Sequence, residues 1–121
     1  MTGNLAKYLQ KALINHCAKG WKCNPERKLF TQELERLLGF SPRADVLLVH
    51  EQSGQRLWIE FEISRADQVA NRAKFVAGHF FQPFEAGTIF VSMVSSHIER
   101  AKRKLAAATI PLMRELGISA F

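Results

Sequence analysis

An α/β domain with a central mixed sheet flanked by helices is the fold this sequence predicts, on three observations. Residues 41–50 and 57–63 read as two strands of a hairpin, with Ser53-Gly54 in the polar connection as a small pair able to take positive φ. From about Arg65 to Phe81 the apolar spacing becomes that of a helix, and residues 88–95 then form a β-rich apolar run. A hairpin makes its strands antiparallel, whereas a crossover helix places the next strand parallel to the one before it, so the sheet is mixed.

Each element has its own signal. Leu5, Tyr8, Leu9, Ala12, Leu13 and Cys17 follow helical spacing from Asn4 to about Lys19, with Asn4 as N-cap and Gly20 as the stop. Residues 21–30 hold Trp21, Cys23 and Pro25 among the cations Lys22, Arg27 and Lys28, and read as a strand broken or entered at Pro25. Thr31 caps a short helix, Gln32 to Leu38, which carries its acids in the first turn and ends at Gly39. After the hairpin, Ser64 is an N-cap candidate for a helix whose apolar stripe is Val69, Ala73, Val76 and Phe80, with Gln68, Asn71, Arg72 and Lys74 on its polar side. Pro83 stops that helix, and Phe80, Phe81 and Phe84 read first as core and second as a base-stacking surface. The run from Thr88 to Val94 is of the kind buried on both faces and is expected centrally. A last helix, His97 to about Leu116, aligns Ile98, Ala101, Leu105, Ala108, Leu112 and Leu116, with a kink expected near Pro111. Residues 118–121 begin one more strand, either a short edge strand or the start of something longer. The core order is α-β-β-β-α-β-α, with the short helix set between the first two strands.

At 121 residues and 47% hydrophobic content the chain fits a single globular domain, residues 1–121, without repeats or linkers. Seventeen Lys and Arg against 11 Asp and Glu give +6, which favours a polyanionic partner, nucleic acid first. Ordinary solubility charge is the bland alternative. Cys17 and Cys23 lack CxxC spacing and clustered histidines, so neither a disulfide framework nor a zinc site is expected, and a reducing cytoplasm is the default. Neither a signal peptide nor a membrane span is evident, and the expectation is a soluble protein with no membrane partner. His16, His50, His79 and His97 are scattered and define no site.

The acids of the hairpin carry the chemistry. With Ser53-Gly54 at the tip, Asp45 stands opposite Glu62 and Glu60 opposite Leu47, so Asp45, Glu60 and Glu62 converge on one face. Leu57, Ile59, Phe61 and Ile63 then alternate toward the core, away from Trp58, Glu60 and Glu62. Clustered carboxylates need a neutralising cation, and oxygen-rich sites suit Mg²⁺. The competing explanation makes Glu60 and Glu62 the wet face of an edge strand, answered by Arg43, Arg56 and Arg65.

An Asp opening one strand, the triplet Glu60-Phe61-Glu62 in its hairpin partner, then a helix and a buried strand, resemble the PD-(D/E)xK nuclease superfamily over roughly residues 40–95. The resemblance implies a restriction-endonuclease-like core and metal-dependent hydrolysis of DNA phosphodiester bonds, of restriction, repair or mobile-element type. Asp45, Glu60 and the main-chain carbonyl of Phe61 are the implied metal ligands, for Mg²⁺ with Mn²⁺ as substitute. Glu62 stands where the family usually has lysine, an ExE variant in which it is a base or the ligand of a second metal. Gln68 matches a glutamine many members carry on the following helix. An acid often contributed by the first helix is missing, with Gln10 and Asn15 the nearest polar substitutes. Members often pair so that two sites address two strands, which makes a homodimer one implied arrangement.

Beside the resemblance, Lys74 is the cation placed to replace the missing motif lysine. Lys22, Arg27, Lys28, Arg43, Arg65 and Arg72 are the candidate phosphate contacts. The run from Glu99 to Lys104 is read as the solvated back of a helix. The rival to a nuclease is a catalytically degenerate module that binds nucleic acid without cutting. An interaction protein with no nucleic-acid role is a third reading.

Overall fold

A mixed five-stranded sheet forms the centre of the protein, in a computed structural model that describes residues 4–62, 68–94 and 100–121. Its strands are β1 (Trp21–Lys28), β2 (Arg43–His50), β3 (Arg56–Glu62), β4 (Thr88–Val94) and β5 (Ser119–Ala120), side by side in that order. β1, β2 and β3 run antiparallel in succession, and β3, β4 and β5 run parallel. The helices are α1 (Asn4–Asn15), α2 (Gln32–Leu38), α3 (Gln68–Phe81) and α4 (Arg100–Glu115). The mixed α/β architecture expected from the sequence is therefore present, with β3 at its centre.

Both faces of the sheet are covered. On one, Leu47, Trp58 and Phe90 pack with Phe75 of α3 and Met113 of α4, together with Ile118 and Ala120. On the other, Val46, Ile59 and Phe61 meet Leu9 and Leu13 of α1. Trp58 thus belongs to a second core rather than to a wet acidic face. Glu60 follows it on that face and is itself only 8% exposed. The wet-edge explanation fails for Glu60, and the Glu62 side chain lies outside the described residues.

The hairpin forms, but with a register two residues away from the expected one. Val46 pairs with Ile59 and Val49 with Arg56, where the expected register would set Val46 opposite Phe61 and Val49 opposite Trp58. The cause is the connection. His50 N donates to Gln55 O at 2.8 Å, Gly54 N donates to His50 O at 2.9 Å, and Gly54 takes φ 73°. The loop is then four residues long, and the His50 ring closes it by accepting from Ser53 N and meeting Ser53 Oγ at 2.9 Å. An even slip keeps the side chains of the paired residues, Val46 to Val49 and Arg56 to Ile59, on the faces the sequence assigns them.

Two helices turn a different face inward than apolar spacing indicates. Among the described side chains of α3, Arg72, Phe75 and Gly78 are buried and Val76 packs against the core as expected, while Ala73 and Phe80 lie outside and the Val69 side chain is outside the described residues. On α4, Met113 is buried and Ile110 packs beside it, while Ala108, Leu112 and Leu116 are exposed. Arg72 Nη1 donates to Thr109 Oγ1 at 2.6 Å, so the interface between the two helices is partly polar. A polar pair inside a core interface breaks the apolar stripe from which the face was inferred. Ile98 lies outside the described residues, as do Ser64, Arg65 and His97.

Other departures are local. β4 lies between β3 and β5, yet Met93 and Val94 at its end are exposed instead of buried on both faces. α1 stops at Asn15, short of Lys19, and the chain folds back through Gly20 so that Cys17 and Cys23 come within 6.5 Å between Cα atoms. Their sulfurs are joined in a disulfide, which corrects the expectation that these cysteines stay unpaired. Among the described residues no helix is long and apolar enough to cross a membrane.

Candidate functional site

Asp45 occupies a break in the sheet. Ladder pairing between β2 and β3 runs from Val49↔Arg56 to Val46↔Ile59 and goes no further. One step on, where Ala44 would be bonded to Phe61, the N–H of Phe61 instead donates to Asp45 Oδ2 at 2.7 Å. The carboxylate therefore fills the gap between two strands that have begun to part. Ala44 and Val46 belong to opposite core faces, although strict alternation would put them together, so β2 turns over at Asp45. β1 is irregular at the same level. Its pairing with β2 skips from Pro25↔Val46 to Arg27↔Ala44, and Glu26 between them has φ 49°, the left-handed region a residue with a Cβ seldom adopts.

Gln10 closes the site from below. Its Nε2 donates to the main-chain carbonyl of Asp45 at 2.7 Å, reaching across from α1. The helix that carries no acid thus still touches Asp45, through an amide and at the backbone.

Glu60, one residue before Phe61 on β3, opens onto a recess of about 230 Å³ lined also by Ser41, Pro42, Arg43, Lys74 and Phe75. Local chemistry builds its walls. Ser41 Oγ accepts from Phe30 N at 3.0 Å and Leu29 N donates to Pro42 O at 2.8 Å, which pins the approach to β2. α3 then comes close because Gly78 has no side chain: a Cβ there would lie 2.6 Å from Leu29 Cδ2 and 3.2 Å from Pro42 Cγ. One turn earlier on that helix stands Lys74, exposed and on the rim. A buried carboxylate, an ammonium and a guanidinium accordingly share one small concavity.

Behind the recess, Arg72 is 2% exposed. It donates to Thr109 on α4 and to Ser92 Oγ, and Ser92 is the cross-strand neighbour of Glu60. Arg72 is therefore an interior residue joining α3, α4 and β4, out of reach of a phosphate, in correction of its assignment to the binding surface. Lys28 is likewise committed, with Nζ 2.8 Å from Glu35 Oε1 of α2. Arg56, offered as a counter-charge to the acids, meets Glu85 at 3.3 Å instead.

Arg43 and Arg27 are exposed near Asp45, Arg27 standing opposite Ala44. Lys22 is exposed but opposite Val49, five residues up the strand and about 17 Å away at 3.3 Å per residue. Glu62 ends β3 and Gln68 opens α3, but their side chains lie outside the described residues, as does all of Arg65. Among the described residues no three His, Cys, Asp or Glu side chains converge as a metal-holding group.

Sequence reasoning underrated Gln10, Glu26 and Gly78. Gln10 was detectable as the polar residue on the buried side of α1. A positive φ at a glutamate leaves no trace in the letters. Comparisons with protein-family models, curated proteins and solved structures find no match to this chain.

Proposed function

We propose that this protein is a metal-dependent nuclease that hydrolyses DNA phosphodiester bonds where the Glu60 recess meets the strand break held by Asp45. The observation that carries the reading is the placing of Glu60. It is nearly buried on the central strand, one peptide from the N–H that holds Asp45, and it faces a recess rimmed by Lys74 and Arg43.

The donor set suits a divalent ion. Asp45 and Glu60 supply two hard oxygens, and the Phe61 carbonyl leaves its extended strand on the same edge as the N–H that meets Asp45. Mg²⁺, or Mn²⁺ in its place, fits two carboxylates plus substrate phosphate better than it fits a closed protein cage. When bound, such an ion supplies Lewis acidity and lowers the pKa of a water molecule. In hydrolysis the water oxygen bonds to phosphorus, the bond to the departing 3′ oxygen breaks, and a proton returns to that oxygen. The chain's own part is to orient. Gln10 and the Phe61 N–H fix Asp45 from two sides, so its carboxylate needs little rearrangement when charge develops. Lys74 takes the position of a motif lysine from the neighbouring helix and draws the scissile phosphate into the recess. Glu62 serves as base or as ligand to a second ion.

A binding module that does not cut is the second reading, supported by Glu62 standing where the resembled family usually has lysine and by a first helix, α1, that carries no acid. Nicking of supercoiled plasmid separates the two. The nuclease reading expects nicking in Mg²⁺ or Mn²⁺ that EDTA abolishes and that Asp45→Ala or Glu60→Ala reduces by about 10²-fold or more. Wild-type protein that binds DNA but never nicks it sinks the hydrolytic reading and leaves the module.

A further inference from the structure

Two aromatic rings stand in water at the far end of the helix that rims the recess. Phe80 is 79% exposed, Phe81 is about half exposed, and the rings meet edge to face, centroids 5.1 Å apart. That geometry leaves ring faces open to a third ring, which an apolar core contact would have covered. Lys74, Gly78 and Phe81 follow one another at helical spacing on one side of α3. Gly78 faces Leu29 and Pro42, so this side overlooks the recess. Phe81 is seven residues from Lys74, about 10 Å along the helix axis.

We propose that Phe80 and Phe81 form a stacking platform for unpaired bases, so that the strand addressed at the recess is single-stranded nucleic acid or the unpaired part of a longer one. The inference rests on the phosphate-binding half of the reading above and adds the class of substrate. Charge decides the occupant. Phe81 continues the helix side that carries Lys74, with Phe80 against it on the adjoining side, Arg43 lines the same recess as Lys74, and the chain is +6, so a polyanion is drawn to this surface. Among polyanions only one with unstacked rings gains from bare aromatic faces, because bases inside a duplex are already stacked. Ala73 and Ala77, which precede Phe80 along its own side of α3, are small and leave room for a backbone to pass.

The test is fluorescence anisotropy with a labelled thymidine oligonucleotide and a blunt duplex of equal length, in EDTA so that nothing is cut. Phe80→Ala and Phe80→Leu should each weaken single-strand binding by about 5- to 100-fold, the range that stacking on one aromatic gives. Phe80→Trp should keep it, duplex binding should hardly change, and the slope of log K against log salt should stay the same. Because Phe80 is exposed, these variants are expected to fold, which circular dichroism checks. Equal losses on both ligands, or an unchanged Phe80→Leu, overturn the platform. So does sedimentation showing a dimer that Phe80→Ala dissociates, since the rings then join two copies. Plasmid nicking that fails while the Phe80 dependence holds would sink hydrolysis and leave stacking standing.

Discussion

Arg72 shows how a single side chain can mislead when read by its charge. On the helix surface it would count as a phosphate contact, yet it lies inside and spends donors on Ser92 and Thr109. Arg72→Ala should therefore behave as a core truncation, removing packing and charge-assisted hydrogen bonds together. A loss of about 3 kcal/mol in urea unfolding is expected, with no change in the salt slope of DNA binding by the folded protein. Gln10 is the opposite case, a plain amide with a functional position. Its bond to the Asp45 carbonyl is worth about 1 kcal/mol. Gln10→Ala should lower stability by that amount and lower nicking more than it lowers DNA affinity, because what it loosens is the aspartate. Equal losses of rate and affinity would count against a positioning role.

Elements were legible where local chemistry dominates. Thr31 Oγ1 accepts from Leu34 N and Gly39 closes α2 with φ 80°, as their letters indicate. The strands around Ser53-Gly54 pair as a hairpin, but their register was not legible, since it depends on the His50 ring folding over Ser53 to lengthen the loop. The face of α3 was misread because an arginine and a glycine lie on its buried side, and neither counts in an apolar stripe. That glycine governs how the element is placed. Gly78→Val should force α3 away from Leu29 and Pro42, costing about 1–3 kcal/mol by overpacking. The same shift carries Lys74 off the rim, so DNA affinity should fall in the protein that remains folded. Full affinity alongside reduced stability would mean that Lys74 is not where substrate enters.

For the whole molecule the question is which of 17 cations reach a polyanion, since net charge alone does not say. The fold sorts them. Arg72 is interior, Lys28 and Arg56 have carboxylate partners, and Lys22 sits at the far end of β1. Of the candidate contacts weighed above whose side chains are described, Arg27, Arg43 and Lys74 remain exposed; Arg43 and Lys74 line the recess with Glu60, and Arg27 stands opposite Ala44. Each phosphate neutralised on a duplex adds about 0.9 to the steepness of log K against log salt, and about 0.7 on a single strand. Replacing Arg43 or Lys74 with Gln should therefore flatten that dependence by nearly one unit each, measured by anisotropy between about 50 and 200 mM salt. Lys22→Gln and Lys28→Gln should leave it where it was. Surface ion pairs such as Lys28 with Glu35 add little stability, so these variants remain folded and the comparison is fair. A slope that drops equally for all four substitutions would mean that the positive charge acts as a diffuse cloud, and that the recess has no special claim on the phosphate.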